Sequence, residues 1–399
     1  MFDKKQKITD LSLVDAHQFE LKVEPEYSGE TFDAHPWDPE KIRITTKHFS
    51  LREVVDQIND QDIDLSPDFQ RDYVWGTQQK IRLIESILLG IPLPAFYFNQ
   101  ESDGSFQIVD GVQRLSTISA FMNNEYSLSS SNLEYLKDLD GKKYDDLPPL
   151  ELRRFRSTQI VVHVIEPSTP NGIKYDIFSR VNTLGSPLKP QEIRHAMSTA
   201  RTRNFLKCLI EDESFDLATG YNFWKYEDGK RVRDSGRMTN QELALRYCAF
   251  KHNSLDDYRS FSSLDRFLID FTKRLDGRNS EETGLQSISS EEMKSLEATF
   301  FIAMENANIV LGDDAFRRIE PRKRKGPINR AIFESQSIAL SEYSREVITL
   351  HKIQIREILL NLFNDDDYLK AVTVGTGSPN SVSIRLSKPK NALREYFND

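Results

Sequence analysis

The sequence has no long apolar run, two cysteines and no excess of positive charge, and each shortage removes a class of function. None of its 399 residues lies in a stretch near the about 18 consecutive apolar positions that a membrane-spanning helix needs, so no membrane association is expected. The N-terminal "MFDKKQKITDLSLVDAHQF" lacks the uninterrupted apolar core of a secretion signal. Cys208 and Cys248 stand far apart in helical-looking sequence, which excludes a CxxC zinc site and a disulfide framework. A reduced, cytoplasmic chain is the expectation. A net charge of −9 argues against wholesale adhesion to nucleic acid, because phosphate binding needs concentrated cationic surface. It leaves room for a local basic groove. "RRIEPRKRKGPINR", with Arg322, Lys323, Arg324 and Lys325, is the candidate run, more simply read as a solvated loop. There is no G-x-x-x-x-G-K-[ST] string, no Ser/His/Asp order suited to acyl transfer, and no repeat of fixed length. Asp256 with Asp257, and Asp365 to Asp367, lack the interleaved glycine and spaced glutamate of a calcium loop and read as solvated helix ends.

What is present describes a globular chain: 38% hydrophobic, 29% charged and 10% aromatic residues, long enough for two or three domains of roughly 150 residues. Residues 1–40 mix charge with Pro25, Pro36 and Pro39 and read as an N-terminal arm, ordered only if it docks. Ser50 followed by Glu53 is a capping box, and Leu51, Val54, Val55 and Ile58 supply a helical apolar face over about 51–59. "DIDLSPDFQRDYVW" reads as an extended segment and loop. Thr77 is placed to cap the next helix, which Gly90 ends. "IPLPAFYFNQ" and "FQIVDG" read as strands around the turn "ESDGS", and "STQIVVHVIE" is the most strand-like run of all. Beyond about Gly172 the 3.6-residue apolar period dominates. The expected division is therefore a mixed α/β domain over 41–171, an α-helical domain over 172–372, and a loop with a basic tail over 373–399.

The chemistry concentrates in "IVDGVQRLSTISAFMNN", an Asp-Gly turn between a β-branched run and an amphipathic helix. A strand that feeds through glycine straight into a helix leaves the first backbone N–H groups pointing at one spot, and that spot attracts anions. Arg114 is placed to grip phosphate oxygens, and Gln113, Ser116 and Thr117 offer further donors. Asp110 would repel a phosphate unless a magnesium ion lies between them, so it reads as a metal contact or as the helix cap. The plain alternative is Asp110 as cap, Gly111 as turn and Arg114 in solvent. Upstream, "FQRDYVW" crowds Gln70, Arg71, Tyr73 and Trp75 into a loop, which a nucleotide would suit, although such aromatics more often pack in a core. His163, inside "IVVHVIE", reads as a satisfied structural histidine, and His195 stands evenly between structure and function.

Three segments in order, "SPDFQRDYVW", "IVDGVQRLSTI" and "FSRVNTLGSPLKPQEIRHAM", resemble the N-terminal domain of GmrSD-type modification-dependent restriction proteins, a bacterial family marked by a DGQQR motif. The resemblance covers about Leu51 to Met197. It implies an α+β chain, a ParB/sulfiredoxin-like mixed α/β N-terminal domain followed by an α-helical C-terminal domain. It also implies nucleotide binding, and hydrolysis, within a restriction or phage-defence system acting on DNA. Carried over, Asp110, Gly111, Gln113 and Arg114 would hold the phosphates of an NTP with Mg2+, and Asp110, Gln113 and Arg114 would take part in turnover. Gln70 and Arg71 would come across the cleft, while Arg180, Asn182, Gln191, Glu192 and Arg194 would close the pocket. Val112 replaces the first glutamine of the motif, which puts hydrolysis in more doubt than binding. None of the seven histidines, at 17, 35, 48, 163, 195, 252 and 351, lies in an HNH-type nuclease motif, so any DNA cutting would come from this domain or from a partner subunit. Two other classes stay open: a metal-dependent DNA-binding or nicking module using the same groove, and a noncatalytic scaffold.

Overall fold

The structure is a computed structural model that describes residues 23–24, 38–65, 75–101, 103–181, 189–227, 229–234, 237–318 and 326–398. It divides into two compact units, one spanning 35–196 and the other combining 1–34 with 197–399. The boundary thus falls about 25 residues beyond the expected 171/172, because two helices that look like the start of the helical half belong to the sheet-bearing unit.

Unit 35–196 is built on a mixed five-stranded sheet: β1 (Ile44–Ser50), β2 (Ile63–Asp64), β3 (Phe96–Gln100), β4 (Phe106–Asp110) and β5 (Gln159–Ile165). Their spatial order is β1-β5-β3-β4-β2, with β5/β3 and β4/β2 parallel and the other pairs antiparallel. The period of two sends Phe96, Phe98, Phe106, Ile108, Ile160, Val162 and Val164 to one face, where they are buried. Against that face pack α1 (Leu51–Asn59), α2 (Thr77–Leu88), α3 (Val112–Met122) and α4 (Pro149–Ser157), contributing Val54, Ile84, Leu115, Phe121 and Phe155 to the same core. The Ser50 hydroxyl accepts from the Glu53 N–H at 3.2 Å, as the capping pattern requires. The cap of α2 is Gly76 rather than Thr77. Gln79 reaches back to accept from the Gly76 N–H at 3.1 Å, which a side chain three residues on can do wherever the cap stands. Buried Glu85 of α2 accepts the backbone N–H groups of Glu134, Tyr135 and Leu136 at 2.7–3.0 Å, fixing the long connection after α3 to the core. Two further helices complete the unit, α5 (Asn171–Val181) and α6 (Pro190–Ala196), with α5 packed on β4 and α6 on α5.

The second unit is helical, with α7 (Ala200–Glu211), α8 (Glu213–Thr219), α9 (Thr239–His252), α10 (Leu255–Arg259), α11 (Leu264–Leu275), α12 (Ser290–Leu311) and α13 (Arg330–Leu340). Thr239 to Phe250 of α9 are all buried, so its charged residues must be paired. Arg246 donates to Glu242 at 2.8 and 3.0 Å and to Glu334 of α13 at 3.0 Å. The helical period of "SREVITLHKIQIREILLNLF" is carried by two helices, α14 (Arg345–Leu350) and α15 (Lys352–Asn361), broken where His351 leaves helical geometry and bonds Tyr396 at 2.7 Å. Next come α16 (Asp366–Ala371) and α17 (Pro379–Asn398). The expected loop and basic tail over 373–399 is therefore largely helix. Pro379 stands in its first turn, where a missing N–H costs nothing, and Arg385 anchors it, fully buried, to Glu334 at 2.5–2.7 Å. A ribbon not anticipated from the sequence, β6 (Trp224–Glu227) with β7 (Lys230–Arg233), also belongs here. Of the arm, Val23 and Glu24 are described, and they dock: the Glu24 N–H donates to Ile328, and its carboxylate takes bonds from Arg318 and Asn329 at 2.9 and 2.7 Å.

Candidate functional site

The Asp-Gly turn is formed by β4 ending at Asp110 and α3 beginning at Val112. Gly111 between them is the N-cap residue, at φ 103°, ψ 9°, a left-handed conformation natural only to glycine. A Cβ there would also run into the buried Phe96 ring, reaching its Cε1 at 2.8 Å. Both constraints demand glycine independently. Having no side chain, Gly111 cannot cap α3, and Asp110 is not the cap either.

Asp110 is instead half of an ion pair. Arg114 Nη2 donates to Asp110 Oδ2 at 2.8 Å and to the Ala95 carbonyl at 3.2 Å, Nη1 donates to the Pro94 carbonyl, and the guanidinium lies 4.1 Å from the centre of the Phe96 ring. With 13% of its side chain exposed, Arg114 is not the solvated arginine of the plain alternative. Burial pulls its pKa down and the Asp110 carboxylate pulls it back up, so the cation persists. Its immediate task is to brace the turn against the segment that enters β3. Asp110 keeps 35% of its side chain exposed and so still faces outward.

The other motif residues divide by helix face. Val112 is buried in the main core, so the position that departs from DGQQR points away from the mouth of the turn. Gln113 and Ser116 are half-buried. Thr117 is fully buried, its hydroxyl returned to the Gln113 carbonyl at 2.7 Å, which removes it as a ligand donor.

The pocket-closing residues sit on α5 and α6. Arg180 is exposed in the last turn of α5. Gln191, Glu192, Arg194 and His195 are all buried on α6; Gln191 accepts from Arg194 Nε at 2.8 Å, and Glu192 accepts from the Lys189 N–H at 2.6 Å. Two of the proposed closers thus hold each other, and a third holds its own helix start. Gln70, Arg71, Tyr73 and Asn182 lie outside the described residues, as does the run Arg322 to Lys325. Trp75 packs against the core. His163 lies on a central strand, bonded to Thr46 at 3.1 Å and with its ring 4.9 Å from that of Tyr97 at a tilt of 47°, a satisfied structural histidine. Among the described residues no three His, Cys, Asp or Glu side chains are grouped to hold a metal ion, and no helix is long and apolar enough to cross a membrane.

Comparison with known proteins places this geometry. The family model for the GmrSD restriction endonuclease N-terminal domain matches residues 51–198. Residues 51–198 are thus similar to GmrSD-type N-terminal domains. The match opens at the first residue of α1 and closes two residues beyond the sheet-bearing unit, so the matched segment and the unit coincide except for β1 and what precedes it. No curated protein matches the chain. A solved structure of a Pnob8-like ParB-N domain matches 90% of this chain and 99% of its own, at 11% identity and a TM-score of 0.20, a likeness too slight to bear on the fold of the matched segment.

Proposed function

We propose that the GmrSD-like segment binds a nucleoside triphosphate, with its phosphates on the first turn of α3, and that the chain serves in a restriction or defence system. The observation that carries this reading is the Gly111 turn: a helix start with no side-chain cap, forced to be glycine twice over, with a braced guanidinium beside it. The macrodipole of a helix contributes only about 0.3–1 kcal/mol to an anion, whereas micromolar binding needs about 8 kcal/mol. Side chains must therefore supply most of the affinity. Gln113 and Ser116, half-buried on the first turns, are suited to direct contact, and Arg114 holds the turn in shape while adding positive charge.

Asp110 would hold a magnesium ion: it is partly exposed, and with Oδ2 taken by Arg114 its other carboxylate oxygen is the one that would serve. When bound, that ion would offset the repulsion between Asp110 and the triphosphate. Gln113 is the residue suited to orient water for hydrolysis, and Asp110 and Arg114 would set the charge around it. Arg180, exposed in the last turn of α5, is proposed to meet the nucleotide, and the likeness to the family motif proposes the same for Asn182, Gln70 and Arg71. DNA is the proposed substrate of the system as a whole, with cutting supplied by this domain or by a partner subunit.

Isothermal titration with ATP, GTP, CTP and UTP, with and without magnesium, tests the reading. One or more should bind the wild-type chain, and Gln113→Ala, which touches no core contact described above, should weaken that binding at least several-fold. Absence of binding to all four, or an unchanged affinity in Gln113→Ala and Arg114→Lys together, would overturn it.

A further inference from the structure

The ribbon of β6 and β7 lies in the helical unit and belongs to nothing discussed so far. Its register pairs Trp224 with Arg233 and Tyr226 with Arg231, so these four side chains share one face. Arg233 is committed inward: it grips Asp216 through both nitrogens at 2.7 and 2.9 Å and donates to the carbonyls of Ile210 and Glu211 at 2.8 Å. That bidentate pair roots the ribbon on α7 and α8. Arg231, one step nearer the tip, is exposed, with its guanidinium 4.2 Å from the Tyr221 ring and 5.0 Å from the Trp224 ring. Beside it, Tyr226 is 80% exposed, the most exposed of the large hydrophobic residues described. Lys230 is exposed as well, on the opposite face of the ribbon.

The charge balance runs against that of the chain. In a protein of net charge −9, both charged side chains on the face of Trp224 and Tyr226 are positive; Asp216 neutralises Arg233, and Arg231 is the cation beside the open ring. A contact driven by apolar burial would need more than one bare tyrosine. An open aromatic face next to a guanidinium already aligned by stacking fits a polyanion that also carries flat rings.

We propose that this ribbon is a contact for single-stranded nucleic acid, with Arg231 on a backbone phosphate and a base stacked on Tyr226. A duplex hides its base faces, so the exposed ring favours the single strand. The site is separate from the Gly111 turn and does not depend on nucleotide binding there.

Fluorescence anisotropy with the full chain and a labelled mixed-sequence DNA oligonucleotide, single-stranded and as a duplex, over a range of salt concentrations, tests it. The single strand should bind more tightly than the duplex, and Tyr226→Ala with Arg231→Ala should weaken it about tenfold or more. The salt slope should fall by about 0.7 for the lost phosphate contact. Arg231→Lys should keep most of that slope. Both residues are exposed, so the melting temperature should hold, and a thermal melt verifies it. No binding by the wild-type chain, equal affinity in the double variant, or equal affinity for the duplex would each overturn the proposal.

Discussion

At the residue scale, Gly111, Val112 and Arg114 occupy adjoining positions with three different duties. Gly111→Ala must place a β-carbon against Phe96 at a backbone angle that alanine resists. We expect a loss of at least about 1–3 kcal/mol, read as a shift in urea midpoint, and an unmoved midpoint would contradict the account. Val112→Gln would restore the family motif, yet Val112 points into the core. The substitution should cost about 1–3 kcal/mol without tightening nucleotide binding; tighter binding would show that position 112 faces the site. Glu85 offers a test by pH. Burial pushes its pKa up, but the N–H groups of Leu136, Glu134 and Tyr135, with Arg82, outweigh that and leave it depressed. A depressed carboxylate contributes stability above its unfolded pKa and loses it as pH falls through the folded one. Glu85→Gln should therefore be less stable than wild type at neutral pH, and the gap should close on acidification through that depressed value. A gap that stays constant with pH would rule this out.

At the element scale, local sequence specified much of the fold. Ser50 with Glu53, the strand runs at 96–100, 106–110 and 159–165, and Gly90 with its positive φ all behave as their residue types require. What local sequence could not convey was partnership. Nothing in "SVSIRLSKPKNALREYF" announces that Arg385 meets Glu334, fifty-one positions earlier, and Pro389 inside the segment argues against the helix that forms. Removing Arg385 should leave Glu334 buried with Arg246 as its remaining cation, costing about 3–5 kcal/mol. Hydrogen exchange in Arg385→Ala should accelerate in α13 and α17, and unchanged protection there would contradict the anchoring role. The β6–β7 ribbon was missed for another reason: Asp228-Gly229 is a hairpin signal, but the helical periods on either side overshadow it.

At the scale of the whole molecule, the mixed sheet unit and the helical unit follow the order that composition and periodicity suggest, and the candidate site was legible only in part. The turn itself could be read because glycine's freedom and a helix start are local properties. The inward commitments of Arg114, Thr117, Gln191 and Glu192 could not, since each depends on a partner that the fold brings near or on which face of a helix is buried. A motif arginine bound to two carbonyls and an aspartate changes how the site is understood: the brace comes first, and the phosphates of the proposed nucleotide would meet a turn already shaped for them. Hydrogen exchange at the amides of residues 111–117, with and without NTP and magnesium, tests that claim most directly. Slower exchange confined to the first turn of α3 is the predicted result. Nucleotide binding that leaves those amides unchanged would place the phosphates elsewhere and contradict it.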